Sequence, residues 1–420
     1  MSAAVASLLA LLAAIGLSMT TRINVGLVAM ALAWIVGRYV AGLGADVIVR
    51  GFPTPLFLAL TGVTLLFASA EVNGTLERLA ERAVRLARGS ARIVPLVFFA
   101  IACLVSAVGP GSVSTVALLA PFAMAAAARV GVPAFLMAIM VANGANAGNL
   151  SPVSAVGVIA NSKIAEAGLG NHWLKVMLAN LVASAAVAAA GYFLLRGHRL
   201  ASNSASAADA RAVPVFTGAQ WLTLAVAVVW VASVVAFKLN LTDLGLSAMA
   251  GALVLTLTRS VDESQAIKRM PWSVILMVTG VTVLIGVLET TGGLALFTDA
   301  LAWLATPAIV NGVVALVTGV ISIYSSTSGV VLPTFLPTVP GLVARLGGGD
   351  PLAVALSINV GASLVDVSPL STLGALCLAA AVVDAKEAQA LFRRLMLWGI
   401  AMAAVGALLC QAFAGWLARM

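Results

Sequence analysis

The residues of this chain best suited to binding chemistry are neutral. Two segments, "VANGANAGNLSPVS" at 141–154 and "INVGASLVDVSPLS" at 358–371, place Gly, Asn and a Ser-Pro pair in the middle of apolar stretches. Gly and Ser-Pro unwind a helix and free backbone amides and carbonyls, which is costly in lipid unless something binds there. Two further segments, "SAVGPGSVST" at 106–115 and "SIYSSTSGVV" at 322–331, gather Gly, Ser and Thr between two apolar limbs and read as the tips of re-entrant hairpins. Carbonyls with Ser, Thr and Asn oxygens suit a hard cation such as Na⁺. Freed amides and helix N-termini, each carrying about half a positive charge, suit a carboxylate. Neither tip and neither interrupted motif contains Lys or Arg, and Asp366 is their only acid. A dianion there meets only dipoles and hydrogen-bond donors, which favours co-binding of cations.

Asp366 has three readings: a Na⁺ ligand, a proton carrier, or a carboxylate capping the unwound helix. Glu71 and Glu289, at equivalent helix ends, read as interfacial, and His172 and His198 as solvated at membrane edges. With no His in the core, histidine proton relay and intramembrane zinc catalysis have no residues to use. An intramembrane hydrolase would need a nucleophile with a base, or an aspartate pair. The chain therefore reads as a non-enzyme, and an anion channel is the competing class.

These segments need elements that can hold them in lipid. The 420 residues are 62% hydrophobic and 9% charged, whereas soluble domains are about a quarter charged. Such a chain cannot cover itself with polar surface and must be solvated by a bilayer. Nucleic-acid binding, a secreted disulfide scaffold and soluble enzymology drop out. Cys103, Cys377 and Cys410 lie in apolar stretches without metal spacing and read as core packing. Spans of about 20 apolar residues are expected at 4–20, 23–43, 53–71, 173–196, 219–238, 243–258, 271–289 and 389–417. The first reads as a mature helix and not a signal peptide. The run "ERLAERAVRLARGSAR" carries Arg78, Arg82, Arg85, Arg88 and Arg92 at helical spacing, an amphipathic arm on the cytoplasmic face. Threaded from that anchor, a ten-span topology with both termini outside puts 16 of the 23 basic residues inside.

The halves repeat at a shift of 216 to 218 residues. "FPTPLFLALTGVTLLFASAEVNG" (52–74) matches "MPWSVILMVTGVTVLIGVLETTG" (270–292), and "GANAGNLSPVSAVG" (144–157) matches "GASLVDVSPLSTLG" (361–374). Five spans per half turn the second copy upside down, the architecture of secondary transporters. The expected fold is an all-α polytopic membrane protein of two inverted repeats, each with five transmembrane helices and one re-entrant hairpin. The first repeat, 1–197, holds scaffold helices within 1–71, the arm 75–91, an inward hairpin 92–129, a broken helix 133–163 and a span 173–196. A cytoplasmic linker, 198–218, joins it to the second, 219–420, with an arm 292–305, an outward hairpin 306–346, a broken helix 351–383 and a span 389–417.

The run from "GFPTPLFLALTGVTLLFASAEVNGTLERLAERAVRLARG" through "GPGSVSTVALLAP" to "VANGANAGNLSPVSAVGVI" resembles the MatC malonate/dicarboxylate carriers, of the ion transporter superfamily that includes the divalent anion:sodium symporters. The resemblance covers nearly the whole chain and is strongest over 50–160. It implies a homodimeric elevator in a bacterial inner membrane, with a scaffold domain and a transport domain of two hairpins and two broken helices. It implies a small dicarboxylate such as malonate as substrate, Na⁺ (alternatively H⁺) as coupling ion, no organic cofactor and no nucleic-acid partner. In the sodium symporters each tip carries a Ser-Asn-Thr triplet. Counted back from Pro121 and Pro337, those positions are Gly111, Ser112, Val113 and Thr327, Ser328, Gly329, so the triplet is partly kept. The Ser/Thr-Pro of each broken helix is kept as Ser151-Pro152 and Ser368-Pro369. The implied substrate contacts are Gly111, Ser112, Ser114, Asn146, Ser151, Pro152, Thr327, Ser328, Ser363, Ser368 and Pro369. The implied cation ligands are Ser106, Ser112 and Asn149 in the first half and Ser326, Ser328 and Asp366 in the second.

Overall fold

The computed structural model describes every residue except 1, 21–22, 79–81, 83–89, 110, 201–214, 238–240, 325, 382–383 and 420. The described residues form helices and connecting turns. In chain order these are α1 (Ala3–Thr20), α2 (Val25–Ile35, continued by a π turn Val36–Val40), α3 (Ala45–Arg50), α4 (Thr54–Val72), α5 (Ile93–Val108), α6 (Gly111–Val130), α7 (Ala134–Asn149), α8 (Ala155–Glu166), α9 (Trp173–Leu194), α10 (Gly218–Phe237), α11 (Leu241–Leu257), α12 (Glu263–Arg269), α13 (Trp272–Thr291), α14 (Gly293–Trp303) and α15 (Val310–Tyr324). A π turn Thr327–Val331 leads into α16 (Leu332–Phe335), a 3-10 turn Leu336–Thr338 and α17 (Val339–Leu346). α18 (Pro351–Leu364), a 3-10 turn Val365–Val367, α19 (Thr372–Ala380) and the 35-residue α20 (Ala385–Arg419) complete the chain.

Among the described residues seven helical stretches are long and apolar enough to cross a membrane: Thr54–Val72, Gly111–Val130, Trp173–Leu194, Trp272–Thr291, Thr327–Leu346, Pro351–Ala380 and Lys386–Arg419. The chain is thus an all-helical, multi-span membrane protein. The stretches read as spans at 4–20 and 219–238 are α1, of 18 residues, and α10, of 20, whereas those at 23–43 and 243–258 are shorter apolar helices. Local signals cut one of them. Asn24 caps α2 by accepting the Gly26 N–H at 2.9 Å, and the helix loosens into a π turn at Val36. The arm expected at 75–91 and the linker at 198–218 lie largely outside the described residues, while the second arm, 292–305, is α14. Large apolar side chains such as Leu104, Val182, Val228 and Leu408 are exposed on the outer faces of their helices, a surface that suits lipid rather than water.

Helices of the two halves cross-pair at repeat-related positions. α4 packs on α11, and α13, the repeat of α4, packs on α2. At the first crossing a Cβ on Gly62 would stand 1.9 Å from the Gly245 carbonyl oxygen, and at the second a Cβ on Gly280 would stand 2.1 Å from that of Gly26. Only glycine lets the backbones approach so closely, the small-residue packing that holds helices together where lipid supplies no hydrophobic drive. α5 packs on α7 and α15 on α18 in the same repeated relation. α7 and α18 are buried along nearly their whole length. They form the centre of the molecule, and both are interrupted there.

Candidate functional site

The first interruption is built by its own hydroxyls. α7 stops at Asn149 and α8 starts at Ala155. Ser154 caps α8, accepting the Gly157 N–H at 3.0 Å while donating to the Asn149 carbonyl. The Ser151 hydroxyl donates to the Ala107 carbonyl, and the Ala155 N–H donates to the Gly109 carbonyl at 3.1 Å, so the break is tied to the end of α5. Gly157 must be small: a Cβ there would stand 1.8 Å from the Ser151 carbonyl oxygen, and at its repeat partner Gly374 a Cβ would stand 2.2 Å from that of Ser368. At the second interruption Ser371, the counterpart of Ser154, makes no cap bond. It donates instead to Asp366 Oδ1 at 2.8 Å.

The tips are tighter than the small-residue runs predict. α5 continues to Val108 and α6 begins at Gly111, which has φ 76°. Residues 112–115 are therefore the first turn of a helix rather than loop. In the second hairpin α15 ends at Tyr324 and a π turn starts at Thr327, with Ser326 accepting the Gly329 N–H at 3.0 Å. Each tip is bonded to the break of its own repeat. The Ser112 N–H donates to Asn149 Oδ1 at 3.0 Å, and the Thr327 hydroxyl donates to Asp366 Oδ1 at 2.8 Å. Asn149 and Asp366 are repeat counterparts, so each half ties its tip to the same position of its break, through a backbone N–H onto a neutral amide in one half and through a hydroxyl onto an acid in the other.

One cavity collects these groups. It is lined by Ser112 and Val113 of α6, Asn149 of α7, Val156 of α8, Ser326, Thr327 and Ser328 of the second tip, Asp366, and Thr372 and Leu373 of α19. Its volume is about 20 Å³, the room taken by one water or a small ion. Of the residues singled out in the sequence, Ser112, Asn149, Ser326, Thr327, Ser328 and Asp366 meet here, with Gly111 adjoining Ser112. Ser114 does not; it lines a separate cavity with Thr64, Glu71 and Arg269. Glu71 there pairs with Arg269 at 2.8 Å. Ser106 is buried and its hydroxyl has no protein partner. Asn146 donates its amide to the Ser363 carbonyl at 2.7 Å, linking the two broken helices. Ser151, Pro152, Ser368 and Pro369 shape the breaks, with Ser368 Oγ 4.0 Å from Met396 Sδ.

Several residues of the site escaped the sequence reading. Ser154 and Ser371 were visible only as the second shared serine of the repeated blocks. Val156, Thr372 and Leu373 line the cavity because each second half-helix begins there. Lys163, buried near the end of α8, forms an ion pair with Glu166 at 2.6 Å. The absence of cations thus holds for the interrupted motifs and not for the whole broken span 133–163. Among the described residues no group of three or more His, Cys, Asp or Glu is arranged to hold a metal ion.

The electrostatics follow from helix polarity. The cavity touches the first turns of α6, α8, α19 and the second tip's returning limb. Each such helix end carries roughly half a positive charge, which favours an anion. The ends of α7 and α18 bring the opposite sign, reinforced by Asp366, and offer carbonyl and carboxylate oxygens that suit a hard monovalent cation.

Residues 1–149 match the family described as the dicarboxylate carrier protein MatC N-terminus. No curated protein matches the chain. Among solved structures, the YdaH transporter of Alcanivorax borkumensis is similar at 15% identity with a TM-score of 0.59, over 93% of this chain and 96% of that one. MtrF of Neisseria gonorrhoeae, from a class of antimetabolite efflux pumps, is similar at 14% identity with a TM-score of 0.57, over 91% of this chain and 84% of that one. At such identities these likenesses speak to fold alone. Residues 1–149 are thus similar to the MatC dicarboxylate-carrier N-terminus, and the chain is a polytopic membrane protein with a fold like that of the YdaH and MtrF transporters.

Proposed function

We propose that the protein is a secondary active transporter that moves a small dicarboxylate such as malonate together with Na⁺ across a bacterial inner membrane. The observation that carries this reading is the single cavity in which four helix N-termini face Asn149 and Asp366. An anion site and a cation site share walls there, so each ion lowers the cost of binding the other. The two inverted repeats give inward-open and outward-open states of similar energy. The transport domain comprises the hairpins 92–129 and 306–346 with the broken helices 133–163 and 351–383, and the remaining spans form the scaffold of a homodimer. Because the cavity has room for about one water, a dicarboxylate enters only when a tip moves away from Asn149 or Asp366. That movement belongs to an elevator cycle in which the loaded domain slides past the scaffold.

Uptake of labelled malonate into proteoliposomes tests the reading. An inward Na⁺ gradient should accelerate uptake, while uptake driven by a proton gradient without Na⁺ would transfer the mechanism to H⁺ coupling. A channel would instead pass anion current far above carrier rates and show no acceleration by malonate on the opposite side. At the tips, Ser112→Ala and Ser328→Ala should each weaken uptake by about 5- to 10-fold, the loss of roughly one hydrogen bond of about 1 kcal/mol, and leave thermal stability unchanged. Wild-type kinetics in both variants would remove these hydroxyls from the site.

A further inference from the structure

Away from the cavity, three buried amides on α7 and α9 leave the same end bare. Asn143 donates its Nδ2 to the Ile139 carbonyl at 2.9 Å, Asn146 to the Ser363 carbonyl at 2.7 Å, and Asn180 of α9 to the Asn146 carbonyl at 2.5 Å. All three side chains are fully buried, and in all three Oδ1 has no protein partner. The orientation does not depend on telling N from O in an amide. Each partner is a backbone carbonyl, which only the NH₂ end can bond, so the bare atom is the oxygen. Ser184, one turn beyond Asn180 on α9, is also fully buried with a bare hydroxyl. The pairings Asn180 to Asn146 and Gly191 to Ile139 run α9 antiparallel to α7, which puts Ser184 at the level of Asn143.

Three bare carbonyl-type oxygens inside a membrane-embedded bundle make a strongly electronegative spot, and each is costly to leave unbonded. Asn143, Asn146 and Asn180 spend their amide donors on carbonyls, so this trio of acceptors disfavours an anion; Asn359 of α18, one turn before Ser363 and also fully buried, leaves both its amide and its oxygen bare. The bonded series Asn180, Asn146, Ser363 ties α9, α7 and α18 together at one level, and the bare Oδ1 of Asn146 and of Asn180 belongs to the same amides that make this junction. Hard cations take oxygen ligands of this kind. With no carboxylate in the set, a monovalent ion is matched better than a divalent one.

We propose that this junction of α7, α9 and α18 is a Na⁺ site distinct from the tip cavity, with Asn146 and Asn180 as side-chain ligands. It rests on the transport reading only for its purpose, as a further coupling ion held where α9 meets the two broken helices. Its occupancy is a separate matter. Cation binding here stiffens the crossing of the two broken helices and leaves the tips free to take the substrate.

The test is thermal unfolding of the purified full-length protein without substrate, titrated with NaCl at constant ionic strength balanced by choline chloride, with KCl in parallel. Wild type should gain stability with Na⁺ and less with K⁺. Asn180→Leu should lose that Na⁺-dependent gain, whereas Asn180→Asp, which keeps both the size and an acceptor oxygen, should retain it at equal or lower Na⁺. Thr327→Val, at the tip, should retain the component that Asn180→Leu removes. A wild type indifferent to Na⁺, or an Asn180→Leu protein with the wild-type titration, overturns the site. If Asn180→Leu does not fold, Asn180→Asp decides alone: loss of the Na⁺ response in that variant overturns the site. Malonate uptake separates the two readings, since Na⁺-driven uptake with an unchanged Asn180→Leu titration defeats only the junction. An Asn180-dependent Na⁺ response without malonate uptake defeats only the transport reading.

Discussion

Asp366→Asn should lower Na⁺-driven malonate transport about 10- to 100-fold while leaving the protein folded. The carboxylate accepts hydroxyl hydrogen bonds from Thr327 on the tip and Ser371 at the start of α19, both 2.8 Å from Oδ1. Hydrogen bonds to a charged group are worth about 1.5–3 kcal/mol, and every 1.4 kcal/mol is tenfold. Among the described residues no cation is paired with Asp366, so its charge is available to a bound ion. The substitution also separates the readings of this residue. If Asp366 only caps the unwound helix, Asn accepts the same hydroxyls and transport stays near wild type. If it binds Na⁺, the Na⁺ concentration for half-maximal uptake rises steeply. Transport kinetics at graded Na⁺ distinguish these outcomes.

Gly157→Val should destabilise the fold by about 1–3 kcal/mol or more, the cost of forcing extra carbons into a packed interior. A Cβ at this position would fall 1.8 Å from the Ser151 carbonyl oxygen. That carbonyl cannot retreat easily, because the Ser151 side chain is bonded to Ala107 and the Ser151 carbonyl itself accepts from Ser154. Relief therefore means pulling the break away from the first tip, and transport should fall with stability. Gly16→Ala, where a Cβ meets nothing within 4 Å, is the matched control. Melting curves of the two purified variants check the prediction, and a Gly157→Val protein as stable as wild type would contradict the packing described here.

The interruptions were legible because Gly, Asn and Ser-Pro together in the middle of an apolar run disfavour a continuous helix, and the breaks fall at 150–154 and 365–371 as the motifs suggest. The repeat was legible too, and its blocks contain Asn149, Ser154, Asp366 and Ser371. The tips were less so. Gly, Ser and Thr are as compatible with a helix's first turn as with a loop, and only the observed helix start at Gly111 shows that the Ser112 N–H is aimed at Asn149. Ser114 fell out of the cavity for the same reason, since helical geometry turns it about 200° away from Ser112 and toward α4. Asn180 was overlooked because a lone Asn in an otherwise apolar span carries no spacing. Its role depends on which helix lies beside it, and periodicity cannot supply that. Span counting by hydropathy overran at α2, where the capping Asn24 and the π turn cut the helix although the surrounding residues remain apolar.

In the proposed cycle one cavity binds a dicarboxylate and its coupling cation together. The most direct measurement is accumulation of labelled malonate in proteoliposomes loaded with the purified protein, under an inward Na⁺ gradient and with the proton gradient collapsed by a protonophore. Malonate should accumulate above its external concentration, and a Na⁺ ionophore should abolish the accumulation. Equilibration without accumulation, or accumulation that survives the Na⁺ ionophore and fails with the protonophore, would contradict Na⁺ coupling at this site.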